Sequence, residues 1–288
     1  MTSERHSRPL AVVSVILAAG RGSRMNGYSG SKTLLPLQPL QSPFEGRVPI
    51  IEQILGRLPE GPKVMILHHC KEEVIAATRP WEPAYCEQPL LNCTGGALLA
   101  AEATLREYDS VAVLIAMGDV PFVRRETYLR MLRGLYENDM VVLGFEPSDK
   151  KQYGLIEIKN QRVRRIVEWK YWKRFAPEAQ AALTVCNAGI YAVRKEVLDR
   201  YFAVLANRPQ IVHKVIDGCL TSLEEYFLTD LVEYMVMDSR SVGCILCEDE
   251  IEPMGVDDLQ SLERAQYLFG KSLYSAIRAD NNGHVQRN

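Results

Sequence analysis

Arg24 and Lys32 follow a turn of small residues, Ala18-Ala19-Gly20-Arg21-Gly22, which itself follows the apolar, β-branched run 12–17. A loop with so little side chain lets backbone N–H groups close on an anion, and glycine alone enters positive φ there freely. Arginine grips phosphate through two parallel N–H bonds, whereas lysine acts as a mobile point charge. A backbone cradle at Leu17, Ala18, Ala19, Gly20 and Gly22, with one cation of each kind beyond it, is what a triphosphate requires. Two better-known phosphate motifs do not match. A dinucleotide fingerprint needs a third glycine where Met25 stands, and a P-loop needs glycine, not Ser31, before Lys32.

Asp119 is the second candidate. It ends the apolar run 110–118 and precedes Val120-Pro121. An acidic residue at the carboxyl end of a central parallel strand points into the ligand crevice of an open α/β sheet. Other residues that could bind metal are less convincing. His68 and His69 have no carboxylate or third histidine at ligand spacing and read as loop residues. Cys244-x-x-Cys247 has no second pair at zinc-ribbon spacing. Seven scattered cysteines, an odd number, suit buried free thiols in a reducing compartment.

Leu17-Ala-Ala-Gly-x-Gly-Ser-Arg-Met25 with the following Lys32 resembles the sugar-1-phosphate nucleotidyltransferase family. Within it, the resemblance is closest to the uridylyltransferase half of bacterial N-acetylglucosamine-1-phosphate uridyltransferases, and it extends from Val12 to Leu268. The resemblance implies that Asp119, in Gly-Asp-Val-Pro, is a Mg²⁺ ligand. It makes Asp257, in Met-Gly-Val-Asp-Asp, the second; the uridyltransferases usually carry Asn there and related thymidylyltransferases Asp. Thr94-Gly95 would open a helix beside nucleotide and sugar, and Gln88, six residues before Thr94, would read the base. Gly154, Glu168 and Asn187 would hold the sugar hydroxyls, and Thr229 would lie close to the acceptor phosphate. The chain departs from the family at Cys93 (usually Gly), Met117 (Tyr) and Leu155 (Arg).

These residues need elements to position them. Hydrophobic periodicity predicts a strand at 12–17, a long loop over 26–49 rich in Gly, Ser and Pro, a helix at 50–58, a strand at 63–67 and a helix at 71–78. A helix capped by Thr94 is expected to continue through Tyr108, before a strand at 110–118, a helix at 125–136 and a strand at 140–145. Such alternation implies a parallel, doubly wound sheet with right-handed crossovers. Segments 153–158 and 163–169 flank Asn160-Gln161 as a hairpin, and 184–193 is a further strand. Helices at 194–205 and 224–237, a strand at 242–247 and an amphipathic helix at 259–277 complete the chain. The expected fold is therefore α/β, a mostly parallel, Rossmann-like sheet with a small antiparallel acceptor-binding lobe. Its expected divisions are a disordered tail at 1–9, one domain at 10–279 and a tail at 280–288. The domain divides into a nucleotide-binding part (10–148), an acceptor-binding part (149–258) and a closing helix (259–279). No hexapeptide repeat follows, so the acetyltransferase half of the bifunctional relatives is expected to be missing.

The 288 residues carry a net charge of −2, which gives no broad electrostatic case for nucleic acid or anionic membrane. No apolar run approaches the roughly 20 residues of a membrane span. Arg5 and Arg8 before residues 10–19 imitate a signal peptide, but that run leads directly into the phosphate turn, so a cytoplasmic enzyme is expected. The expected reaction transfers a nucleotidyl group from an NTP, UTP in the favoured case, to a sugar 1-phosphate, favoured as N-acetylglucosamine 1-phosphate, releasing pyrophosphate. Rival readings are another hexose 1-phosphate or small phosphorylated alcohol as acceptor, a nucleotide-sugar-dependent glycosyltransferase, and a non-catalytic nucleotide-sugar sensor. The glycosyltransferase would normally carry an Asp-x-Asp motif, which Gly118-Asp119-Val120-Pro121 is not.

Overall fold

The computed structural model describes residues 10–285 apart from 23, 26, 217 and 218. The elements run β1 (Val12–Leu17), β2 (Pro36–Pro39), β3 (Gly46–Pro49), α1 (Ile50–Arg57), β4 (Lys63–Leu67), α2 (Lys71–Thr78), β5 (Ala84–Glu87), α3 (Cys93–Ala100), α4 (Glu102–Arg106) and β6 (Ala112–Met117). They continue with α5 (Arg125–Gly134), β7 (Met140–Phe145), β8 (Leu155–Lys159), β9 (Arg162–Val167), α6 (Trp169–Trp172), α7 (Pro177–Ala182), β10 (Cys186–Arg194) and α8 (Lys195–Ala206). The last are β11 (Gln210–Ile216), β12 (Cys219–Glu225), α9 (Leu228–Met237), β13 (Val242–Leu246) and α10 (Leu259–Val285).

The main sheet has the order β13-β7-β10-β6-β1-β4-β5. β1 pairs in parallel with β4 and β6, and β7 with β13, as expected of strands joined by helical crossovers. Side chains alternate across each strand, so every strand supplies two cores. Val12 and Ile16 of β1, with Leu114 of β6, pack under α1, α5 and α10, where Ile54, Tyr128, Met131 and Leu262 are buried. Val13, Val15 and Ile115 face the opposite layer of α3, α8 and α9, which contributes Leu98, Phe202 and Leu231. Burial on both faces explains why β1 and β6 read as continuous apolar runs.

The structure differs from the sequence expectation in several places. β10, expected in the acceptor lobe, lies inside the main sheet and runs antiparallel to both β6 and β7. Its apolar pattern records burial, not direction. The helix expected from Thr94 to Tyr108 breaks at Ala101 into α3 and α4; its N-cap is Asn92, and Thr94 already lies inside the helix. Residues 224 and 225, expected in a helix, end β12, and α9 begins at Leu228. The loop 26–49 holds a 3₁₀ turn at Lys32–Leu34 and the hairpin β2–β3. α10 runs on to Val285, past the expected 277, while the tail expected at 1–9 and the final three residues lie outside the described residues. The hairpin β8–β9 forms as expected: Asn160 and Gln161 take φ of 53° and 61°, the left-handed pair of a tight two-residue turn. Among the described residues no helix is long and apolar enough to cross a membrane.

Candidate active site

The carboxyl ends of β1 and β6 open onto the site. After Leu17 the chain turns through Ala18, Ala19 and Gly20. Gly22 holds φ at +63°, and a Cβ there would stand 3.1 Å from the Lys32 Cβ, so the turn and the lysine are packed against each other. Lys32, only 11% exposed, places Nζ 2.5 Å from Asp119 Oδ2 and 3.0 Å from Asp257 Oδ1. Arg24, 64% exposed, donates to the same Asp257 oxygen at 2.9 Å. Burial pushes the Lys32 ammonium down, but the two carboxylates outweigh it and hold its pKa above the usual lysine value. Lys32 is thus a fixed cation.

The four charged residues read from the sequence therefore form one chain of contacts, Asp119 to Lys32 to Asp257 to Arg24. Asp119 and Asp257 come from loops that are tied together. The Asp119 carbonyl accepts from Val256 N at 2.9 Å. Just beyond, Glu252, 4% exposed, takes Arg124 Nε at 2.7 Å and Nη2 at 2.5 Å on one oxygen, and Arg124 N at 3.1 Å and Thr127 Oγ1 at 2.6 Å on the other. Nothing in the local sequence announced this clamp, whose two sides are 128 residues apart.

The donor set fits a hard divalent cation. Two carboxylates converge on one positively charged atom, so an ammonium already stands where a cation must sit. Mg²⁺ is commonly bound by one or two carboxylates with the remaining positions left to substrate phosphates and water. Among the described residues no group of three or more His, Cys, Asp or Glu side chains converges.

A cavity of about 260 Å³ runs from this charged end, past Leu17–Gly20, to Gln88, Cys93 and Thr94. Gln88 is buried. Its Nε2 donates to Asn92 Oδ1 at 2.9 Å and to the Cys93 carbonyl at 3.1 Å, which leaves Oε1 as the group it can offer to a ligand. Its carbonyl pairs with His68 Nδ1 at 2.8 Å, and His69 Nε2 with the Ser29 carbonyl at 2.9 Å, so both histidines serve the loops, as the sequence suggested. Cys93 takes φ of 71°, the left-handed conformation that glycine enters more freely. Thr94 Oγ1 accepts from Leu228 N at 3.2 Å instead of capping α3. Gly95 N donates to the Tyr226 carbonyl at 2.8 Å, and a Cβ on Gly95 would meet that backbone at 2.7 Å; only glycine allows α9 to approach so closely. Lys214 and Glu225, on the unanticipated hairpin β11–β12, complete this wall.

The residues expected at the acceptor side form two contacting pairs. Glu168 Oε1 accepts from Thr229 Oγ1 at 2.8 Å, and the Gly154 carbonyl accepts from Asn187 N at 2.8 Å. Burial raises the Glu168 pKa, while the Thr229 bond and Lys170 counter it. The Asn187 side chain is engaged at both ends, Nδ2 to the Tyr191 hydroxyl at 2.8 Å and Oδ1 from Gly189 N at 3.0 Å. Leu155, the position of the family's arginine, is fully buried in the core. Replacing Asn187 by Ala leaves a buried tyrosine hydroxyl unpaired and removes the neighbouring amide. We expect kcat/KM for the sugar phosphate to fall by an amount equivalent to about 1–3 kcal/mol, with nucleotide affinity retained. Separate measurements of the two quantities check this, and an equal loss of both would mean that the lobe has been wrongly assigned.

Comparison with known proteins adds the following. Residues 14–170 match the model of the MobA-like NTP transferase domain. The chain is 33% identical over 261 residues to the bifunctional protein GlmU of Ruegeria sp. (strain TM1040), covering 88% of this chain and 52% of that protein. It is 31% identical over 278 residues to GlmU of Novosphingobium aromaticivorans, covering 94% and 55%. It therefore spans about half the length of these curated relatives. Among solved structures, a candidate UDP-N-acetylglucosamine pyrophosphorylase from Entamoeba histolytica superposes with a TM-score of 0.65 at 13% identity, covering 90% of this chain and 81% of that one. A CMP:2-keto-3-deoxy-manno-octonic acid synthetase complexed with CTP superposes at 0.60 and 15% identity, covering 91% and 99%. At such identities the structures establish the α/β fold alone.

Proposed function

This chain belongs to the MobA-like NTP transferase domain family, and from that premise we propose that it transfers a nucleotidyl group from UTP to a hexose 1-phosphate, favoured as N-acetylglucosamine 1-phosphate, and releases pyrophosphate. The observation that carries the reading is the meeting of Lys32, Arg24, Asp119 and Asp257 at the mouth of the phosphate turn. The resemblance of Leu17–Met25, Lys32, Asp119 and Gln88 to the N-acetylglucosamine-1-phosphate uridyltransferases is the support for the uridine nucleotide and the amino sugar.

In this account the acceptor phosphate oxygen attacks the α-phosphorus in line, and pyrophosphate leaves on the opposite side. A phosphate monoester dianion is already a nucleophile, so no general base is needed and the protein contributes alignment and charge neutralisation. Backbone N–H groups of the turn from Leu17 to Gly22 cradle the triphosphate. Arg24 and Lys32 hold the leaving pyrophosphate. Asp119 and Asp257 would hold Mg²⁺, and the ion bound there would supply neutralisation of phosphate charge. Glu168, Thr229, Asn187 and Gly154 fix the hexose. We place the reaction in the reducing cytoplasm, in keeping with seven free thiols, of which Cys244 and Cys247 are pushed up to about 12 by burial.

Mixing the protein with each NTP and a panel of hexose 1-phosphates, scored by pyrophosphate release, tests the proposal. UTP with N-acetylglucosamine 1-phosphate should be turned over best; a different best pair replaces the favoured substrates, and no release with any pair overturns the reading. Base choice has its own test. The free Gln88 Oε1 is an acceptor, which suits the N3–H of uracil and opposes the unprotonated N3 of cytosine. Gln88→Ala should raise the KM for UTP and narrow its preference over CTP. An unchanged UTP/CTP ratio of kcat/KM would assign base reading to other groups.

A further inference from the structure

The cavity has a charged end, at Lys32 and Asp119, and a second polar end, at Gln88, Cys93, Lys214 and Glu225. A chain of contacts builds that second end. Gln88 Nε2 holds the Cys93 carbonyl. Burial and the neighbouring Glu225 carboxylate push the Cys93 thiol up to about 12. Glu225, 5% exposed, takes Lys214 Nζ. Lys214 itself is 52% exposed and lines the cavity beside Cys93 and Gln88. Its strand, β11, pairs only with β12, apart from the main sheet; on that hairpin Lys214, Thr221 and Glu225 share one face, while Ile211 and Leu220 of the other face are exposed. The root of the hairpin is fixed, because Gln210 Nε2 donates to both oxygens of Asp230 at 2.9 and 2.7 Å. The lysine is thus carried to the nucleoside end on an anchored strand.

We infer that Lys214 is a base-selecting residue: its ammonium donates to a keto oxygen on the nucleobase, the O4 of uracil, beside the Gln88 Oε1 that accepts from N3–H. An ammonium has three N–H donors and no acceptor. One serves Glu225, which leaves two for a ligand in the cavity that Lys214 lines. A donor beside an acceptor fits the O4/N3–H edge of uracil. It opposes cytosine, which presents an amino donor to the lysine and a bare N3 to the glutamine. Glu225 and the Cys93 thiol keep the ammonium in place; this gives a physical reason for a cysteine at a left-handed position.

The inference rests on the nucleotidyltransferase reading and is tested separately from it. Isothermal titration of the full chain with UTP and with CTP is to be compared for wild type, Lys214→Met, and the double variant Lys214→Met with Glu225→Gln, which avoids stranding a buried carboxylate. UTP affinity should fall about 10-fold or more in both variants, the loss of one hydrogen bond from a charged donor, while CTP affinity stays the same or improves. An equal fall for both nucleotides would place Lys214 on the ribose or phosphates, and no fall would remove it from the site; either overturns the inference. A wild type that prefers UTP and releases pyrophosphate while the variants are unchanged overturns this inference alone. A wild type that binds no NTP overturns the nucleotidyltransferase reading and this inference with it.

Discussion

Asp119→Asn is expected to cut turnover by about 10²-fold or more, ~3 kcal/mol of transition-state stabilisation. Asp119 lies two residues beyond the end of β6, and its backbone is held independently of its side chain through the carbonyl bond from Val256 N at 2.9 Å. The amide is nearly isosteric, so the loop keeps its course. Lys32 keeps its second partner, Asp257, at 3.0 Å. What is lost is one of the two negative charges that oppose a cation at this point. The defect should therefore appear in kcat and in the Mg²⁺ concentration needed for half-maximal rate, with the unfolding midpoint close to wild type. Near-normal turnover at ordinary Mg²⁺ in a folded Asp119→Asn protein would take Asp119 out of the account.

The second large effect is on stability. Arg124→Ala strips Glu252 of its counter-charge, of the Nε hydrogen bond and of the Nη2 ion-pair contact, while the carboxylate itself is 4% exposed. Breaking a buried pair from one side costs about 3–5 kcal/mol. Arg124 is 45% exposed, so solvent screens the pair and the expected loss is about 2–3 kcal/mol. Urea unfolding measures it. Because the clamp joins the loop after Asp119 to the turn before Asp257, the same variant should also need more Mg²⁺, whereas an Ala substitution at the exposed Arg165–Glu157 pair should change neither quantity. A loss under about 0.5 kcal/mol would show that Thr127 and backbone N–H groups suffice to hold Glu252.

What could be read from the sequence was local. The turn after β1 announced itself because small residues, glycines and two cations lie within one short stretch. Asp119 could be read because a fully buried strand must deliver its next polar residue to the sheet's edge. Asp257 was legible through its motif; in the structure Asp119 and Asp257 both contact Lys32, and Arg24 contacts Asp257, while their roles in turnover are what the Asp119 variant tests. The hidden features depend on direction or on distant partners. Apolar spacing in β10 carries no sign of antiparallel insertion. Arg124 and Glu252 are separated by 128 residues, and neither is unusual in its own surroundings. The hairpin β11–β12 was missed because Lys214 and His213 interrupt a short alternation. Glu225, directly before Tyr-Phe-Leu-Thr-Asp, was the one available signal that the motif begins earlier than its hydroxyl residue. Asn187 was read as holding sugar hydroxyls, yet both ends of its amide are already engaged, which makes it a scaffold for Tyr191.

The central claim is that the bond made and broken lies at the α-phosphorus and not at the sugar carbon. The reverse reaction reads this most directly. The protein is incubated with UDP-N-acetylglucosamine, Mg²⁺ and labelled pyrophosphate, and the products are separated. Nucleotidyl transfer places the label in the outer two phosphates of UTP and liberates N-acetylglucosamine 1-phosphate in equal amount. Release of UDP with free or transferred sugar, and no label in UTP, would mean cleavage at the glycosidic carbon and would contradict the account.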